Sequence, residues 1–209
     1  MKKTDNINDY KKKLSILDDV KKYVVKDGWS KNLLKKILNN RVTSSDLAYL
    51  IPNGYLDLLE LSLNELNKSL ENKINKINII NFPISKRMKK ILLLRLEILN
   101  EEKIFFKKTF NHLILPQNNK IMKRNLYNTV DNMWYLAGDN STDFSFYTKR
   151  LTLAVIYTNA LFVFFNKDIE QAKINIEKNL KRISNIPKFK QKFSFIKDSL
   201  PIFLKGILN

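Results

Sequence analysis

Three observations predict an all-α fold. Only four Gly and five Pro punctuate the 209 residues, so the turn clusters that sheets require are missing. Apolar residues recur at spacings of three and four, the period of one helix face. Residues that cap or break helices stand where these periodic runs end.

Taken in order, a first helix is expected from about Asp9 to Val25, with Tyr10, Leu14, Leu17, Val20 and Val24 on one stripe and Gly28 marking its end. Ser30 suits the N-cap of a second helix that turns Leu33, Leu34, Ile37 and Leu38 inward. A short third helix starts at Ser44 or Ser45 and reaches Leu50, an arrangement like a helix-turn-helix. Beyond the Pro52 to Gly54 corner, Leu56, Leu59, Leu63, Leu66, Leu70, Ile74 and Ile77 share one face of a long fourth helix. Phe82-Pro83 then breaks the chain.

Residues 84–100 are apolar almost all round in ILLLRLEIL, which predicts burial on several sides. Residues 101–115 continue as a helix carrying Ile104, Phe105, Phe106 and Phe110, closed by Leu115-Pro116. A helix over 118–136, a long one over 143–166 and another over 168–186 complete the set. The stretch LTLAVIYTNALFVFFN falls short of the roughly 20 apolar residues that span a bilayer and contains Thr152, Thr158 and Asn159, so it reads as a central core helix. These boundaries divide the chain into a helix-turn-helix-like subdomain over 1–82, a helical subdomain over 83–187 and a final amphipathic segment over 188–209. That segment places Phe189, Phe193, Ile196, Leu200 and Phe203 on a stripe, with Lys190, Lys192 and Lys197 off it. The pattern fits an interfacial helix with aromatics at the acyl boundary, or equally a last helix docked on the core.

Composition excludes more than it selects. A net charge of +18 points to an anionic partner, either nucleic acid or an acidic membrane surface, although the accompanying excess of Asn and Ile makes part of the Lys content a compositional bias. Cys is absent and His112 is the one histidine, so neither a disulfide framework nor a Cys/His zinc site is expected. The start MKKTDNINDYKKK has no apolar core and carries acidic residues, which argues against a cleaved import peptide and for a cytoplasmic protein. No nucleophile with a positioned base, P-loop or GxGxxG motif occurs, and Glu101-Glu102 and Asp18-Asp19 point to different helix faces. The chain is expected to be no enzyme, with neither cofactor nor metal of its own.

The densest information lies in MWYLAGDNSTDFSFYTKR, Met133 to Arg150. Gly138 can end one helix in the left-handed conformation, and Ser141 and Thr142 are candidate N-caps for the next, with Asp139 and Asp143 near its positive end. By residue type alone this is either a capped corner with buried aromatics or a binding surface.

The pattern Met133-Trp134, Ala137-Gly138-Asp139, Ser141-Thr142-Asp143-Phe144, Tyr147-Thr148 and Arg150 resembles the signature of the ninth coenzyme Q biosynthesis protein family. Weaker similarity extends to Gly28-Trp29-Ser30, Pro52-Asn53-Gly54 and Leu115-Pro116. The resemblance implies a TetR-like helical bundle acting as a homodimeric, lipid-binding accessory protein of ubiquinone synthesis. It implies that the protein binds an isoprenoid quinone precursor or another lipid and presents it to the demethoxyubiquinone hydroxylase, whose di-iron centre belongs to that partner. By match, Met133, Trp134, Tyr135, Asp139, Tyr147 and Arg150 form the partner-binding surface. The apolar helix that follows supplies Leu151, Val155, Leu161 and Phe162 as pocket residues. The resemblance also implies that the C-terminal segment, through Phe189, Lys190, Lys192, Phe193, Ile196, Lys197, Leu200 and Phe203, binds an anionic membrane, peripherally on the inner membrane and on the matrix side in a mitochondrion.

The alternative is a TetR-type DNA-binding regulator. Its recognition helix would be Ser44 to Leu50, which offers no Arg or Lys to bases or phosphates, while Asp46 opposes phosphate. Arg41 and Lys31 supply backbone contacts only, so no sequence-specific nucleic-acid partner is expected. The three-helix unit reads as architectural or dimer-supporting.

Overall fold

The computed structural model describes residues 2–38, 42–141 and 144–184. Among them the chain is all-α: α1 Lys2–Asp27, α2 Leu33–Ile37, α3 Ser44–Leu50, α4 Tyr55–Asn75, α5 Ile84–Glu101, α6 Lys103–Leu113, a 3-10 turn at Pro116–Asn118, α7 Asn119–Leu136, α8 Phe144–Asn166 and α9 Ile169–Ser184. No helix of the described residues is long and apolar enough to cross a membrane. The C-terminal stripe of Phe189, Phe193, Ile196, Leu200 and Phe203, with Lys190, Lys192 and Lys197, lies outside the described residues, as do Thr142 and Asp143.

The N-terminal boundaries depart from expectation for physical reasons. α1 begins at Lys2 rather than near Asp9, since Lys is a good helix former and the polar start meets no breaker. The hydroxyl of Tyr10 donates to Glu65 and accepts from the Lys68 ammonium on α4. α2 begins at Leu33, after a turn in which the Leu33 N–H donates to the Ser30 carbonyl, so Ser30 does not cap it. Thr43, one residue before Ser44, caps α3: its hydroxyl accepts from the Asp46 N–H while the Asp46 carboxylate accepts from the Thr43 N–H. Asp46 thus has a folding role that explains an acid in this helix.

The chain divides into two compact units. The first comprises Met1–Asn72 and Ile98–Asn118. In it α1 packs on α2 and α6, burying Ile16, Leu17, Val20 and Val24. Trp29 sits in this core, its indole N–H donating to Thr109 Oγ1 at 2.9 Å and its ring lying 6.2 Å from Tyr55 and 5.8 Å from Phe105. His112 meets Tyr55 edge-on at 5.5 Å, and burial alone depresses its pKa, the behaviour of a core-edge histidine.

The second unit comprises Lys73–Glu97 and the described part of Asn119–Asn209. The Phe82-Pro83 break lies within it, where it precedes α5. Here α8 packs on α7 and α9, burying Leu153, Ile156, Tyr157, Ala160, Phe164 and Phe165. Because α8 is apolar around most of its circumference, these neighbours do not cover all of it. Arg95 of α5 is 1% exposed, with Nε 3.2 Å from the Tyr157 hydroxyl and Nη1 without a hydrogen-bond partner.

Candidate functional site

The signature folds as a helix-helix corner whose backbone calls for its glycine. The Asp139 N–H donates to the Trp134 carbonyl at 3.0 Å and the Gly138 N–H to the Tyr135 carbonyl at 2.9 Å, the paired bonds that close a helix around a left-handed residue. Gly138 supplies that residue with φ of 79°. A Cβ there would also stand 3.0 Å from Nη1 of Arg87 on α5, so both conformation and space select glycine. Arg87 donates to the Ala137 carbonyl at 3.0 Å, to the Phe82 carbonyl at 2.7 Å and to the Ile80 carbonyl, fastening the end of α7 to the loop before α5.

Beneath the corner lies a charged network. The Asp139 carboxylate accepts from the Lys149 ammonium at 2.6 Å, the Ser141 hydroxyl at 2.7 Å and the Arg150 guanidinium at 3.3 Å. Arg150 in turn donates through Nε to Asp131 at 2.5 Å and through Nη1 to the Phe146 carbonyl at 3.2 Å, with its guanidinium carbon 3.3 Å from the Phe146 ring centre. Burial opposes ionisation of Asp139, but the Lys149, Ser141 and Arg150 contacts outweigh it and hold the carboxyl below the usual carboxylate range. Ser141 therefore serves the carboxylate that precedes it.

Of the six residues expected on one surface, the structure exposes two strongly. Tyr135 is 72% exposed and Tyr147 45%. Trp134 is partly buried, with the Lys149 ammonium 5.5 Å from its ring centre and its indole N–H buried without a partner. Met133, Arg150 and the carboxylate of Asp139 are buried, which corrects their placement at the surface. Met133 faces inward because it lies on the α7 face shared with Thr129 and Val130, and Arg150 because it bridges two acids.

The expected pocket residues also change position. Leu151, Val155 and Phe162 face solvent among the described residues, Val155 at 64%, and Leu161 is partly buried. The inward face of α8 is instead that of Leu153, Ile156, Tyr157, Ala160 and Phe164. An almost uniformly apolar helix gives no periodic signal to tell these faces apart.

Sequence reasoning missed Arg87, Asp131, Lys149 and Tyr127. Tyr127 is exposed, and its pKa is raised by partial burial and then by the Asp131 charge, which places it beside the network. Lys149 was legible as the neighbour of a signature arginine. Arg87 and Asp131 pair across long sequence separations and carried no local signal. Among the described residues no group of His, Asp or Glu has the arrangement of a metal site.

The sequence profile of the COQ9 family matches residues 120–190, which contain the whole corner. A probable ubiquinone biosynthesis protein coq9, mitochondrial, from Dictyostelium discoideum is 25% identical over 169 residues, 77% of this chain and 55% of that protein. The ubiquinone biosynthesis proteins COQ9, mitochondrial, of Rattus norvegicus and Homo sapiens are 49% and 47% identical over 51 residues, 24% of this chain and 16% of each relative. The chain spans about half the length of the Dictyostelium relative. The resemblance read from Met133 to Arg150 therefore holds, and residues 120–190 are COQ9-like sequence.

Proposed function

We propose that the protein is a non-catalytic accessory factor of ubiquinone biosynthesis that binds an isoprenoid quinone precursor and presents it to the demethoxyubiquinone hydroxylase. Relatives named for ubiquinone biosynthesis support the pathway. The observation that carries the reading is the build of the corner: Tyr135 and Tyr147 project from a site fixed by the buried Asp139 and Arg150 charges, by the partly exposed Lys149 that pairs with Asp139, and by the Schellman-type turn at Gly138. Large aromatics on a rigid support are the composition of an interface hot spot. Met133, Asp139 and Arg150 act beneath this surface as its scaffold. The exposed apolar stripe of Leu151, Val155 and Phe162 on α8 supplies surface for a lipid or for a second copy in a homodimer. The basic C-terminal segment supplies peripheral attachment to an anionic membrane, which in the mitochondrial setting named by the relatives is the inner membrane facing the matrix.

The test is co-purification with the hydroxylase. Tyr135→Ala combined with Tyr147→Ala abolishes the complex while leaving the melting temperature within about 2 °C, as expected for exposed side chains. Organic extraction followed by mass spectrometry identifies any bound lipid. Retention of the hydroxylase by the double variant removes the interface reading, and a lipid-free protein that also fails to take up a quinone analogue removes the carrier reading. The regulator alternative gains nothing from α3, which presents no cation and whose acid is used in its own cap.

A further inference from the structure

Away from the corner, α5 carries a second surface feature. Lys86, Lys89, Lys90, Leu93, Leu94 and Glu97, together with Phe82, line an open furrow of about 530 Å3. Their spacing runs i, i+3, i+4, i+7, i+8 and i+11, one stripe along roughly three turns of helix. Arg95 lies on the opposite side of α5, in the core. The half-buried Leu93 and Leu94 form an apolar floor. At one end the Phe82 ring lies 5.8 Å from the Lys90 ammonium, and its backbone carbonyl is held by Arg87. Lys89 is engaged by Glu177 of α9 at 2.7 Å, and the charge of Glu97 reaches Lys173. Among the described residues neither Lys86 nor Lys90 is paired with an acid, and both lie at the Phe82 end.

We propose that this furrow is a docking site for an acidic amphipathic helix of a partner protein. A helix laid along this α5 stripe sets apolar side chains on Leu93 and Leu94 and carboxylates at Lys86 and Lys90. Charge complementarity selects the occupant. A second copy of this chain, at a net charge of +18, brings the wrong sign, and so does its own Lys-rich stretch from Lys188 onward. A uniformly anionic membrane would meet the carboxylates of Glu97 and Glu177 at the other end of the stripe. A helix places its acids at one end only, as the furrow requires. This inference does not rest on the proposed function.

The probe is a fluorescein-labelled helical peptide with glutamates in its N-terminal turns and leucines along one face, measured by anisotropy on the full chain. The comparison peptide has the same composition with the stripe scrambled. The striped peptide binds about tenfold more tightly than the scrambled one, and Lys86→Glu with Lys90→Glu lowers its affinity about tenfold. Lys120→Glu with Lys123→Glu, an equal charge change at the start of α7, lowers it less than about twofold. Equal binding of the two peptides, or equal losses in the two charge-reversed proteins, overturns the site as an effect of bulk charge. Co-sedimentation with phosphatidylserine vesicles that depends on Lys86 and Lys90, without stripe-dependent peptide binding, overturns it in favour of a membrane face.

Discussion

Trp29 follows Gly28 at the end of α1, and Trp134 precedes Gly138 at the end of α7; both glycines hold a positive φ, 77° and 79°. In sequence the two corners look alike, each a tryptophan within one helical turn of a glycine that stops a helix. In the structure they differ in what surrounds the ring. Trp29 is buried, stacked on Tyr55 and tilted against Phe105, and its N–H is satisfied by Thr109. Trp134 is partly open, its N–H is buried without a partner among the described residues, and a lysine bound to Asp139 stands over its face. A buried indole with its polar atom satisfied stabilises a fold, whereas one held at a rim beside exposed tyrosines has the setting proposed above for a contact surface.

The largest effect should separate the two rings. Trp29→Ala removes a buried aromatic and the indole N–H that donates to the Thr109 hydroxyl, costing about 3–5 kcal/mol and lowering the melting temperature by roughly 10 °C. Trp134→Ala should lower it by less than about half as much while weakening the proposed association with the hydroxylase. Thermal melts followed by circular dichroism make the comparison directly. Equal destabilisation by both substitutions would show that Trp134 is core and would erase the contrast.

A smaller effect concerns the glycines. A Cβ at Gly28 meets nothing within 4 Å, so Gly28→Ala costs only its left-handed backbone, about 1–2 kcal/mol. Gly138→Ala adds a clash with Arg87, whose guanidinium holds three carbonyls, and should cost about 1 kcal/mol more. The excess should disappear in an Arg87→Met background, where the space is freed, and a double-mutant cycle measures it. An excess that persists in that background would mean that Arg87 yields freely and does not set the geometry of the corner.

Much of the helix order was legible because stripes such as Leu59, Leu66, Leu70 and Ile74 obey a helical period and because Gly28, Pro52, Pro83 and Pro116 punctuate them. The signature was legible because it departs in composition from its surroundings. Side-chain depth within it was not: Met133 and Tyr135 are two positions apart, and which faces inward depends on the neighbours of α7. The same holds for α8, where Val155 and Ile156 are chemically equivalent and oppositely placed. The ion network was invisible for another reason, since Asp131 with Arg150 and Arg87 with Ala137 are brought together only by tertiary packing.

The smallest effect sharpens the contrast most, because the two corners carry titrating groups of different kinds. His112, against Tyr55 in the cluster around Trp29, has a pKa depressed by burial below the ordinary histidine value of about 6.5. The unfolded chain therefore binds the proton more readily, so this stability is complete above about pH 6.5 and is lost as pH falls through the folded value. At the other corner the contacts of Asp139 with Lys149, Ser141 and Arg150 outweigh its burial and depress its pKa, so its contribution is complete above about pH 3.9 and is lost only at more acid pH. The chain has two tryptophans, so Trp134→Phe leaves Trp29 as the sole indole reporter and Trp29→Phe leaves Trp134. As pH falls below about 6.5, emission from Trp29 should change while that from Trp134 stays flat until the Asp139 carboxyl protonates, below about pH 4, where the Trp134 reporter should respond as Lys149 loses its partner. Asp139→Asn should abolish the acid response and leave the other intact, and His112→Phe the reverse. A Trp134 signal that titrates near pH 6.5, or one that survives Asp139→Asn, would show that the corner is not held by its buried carboxylate.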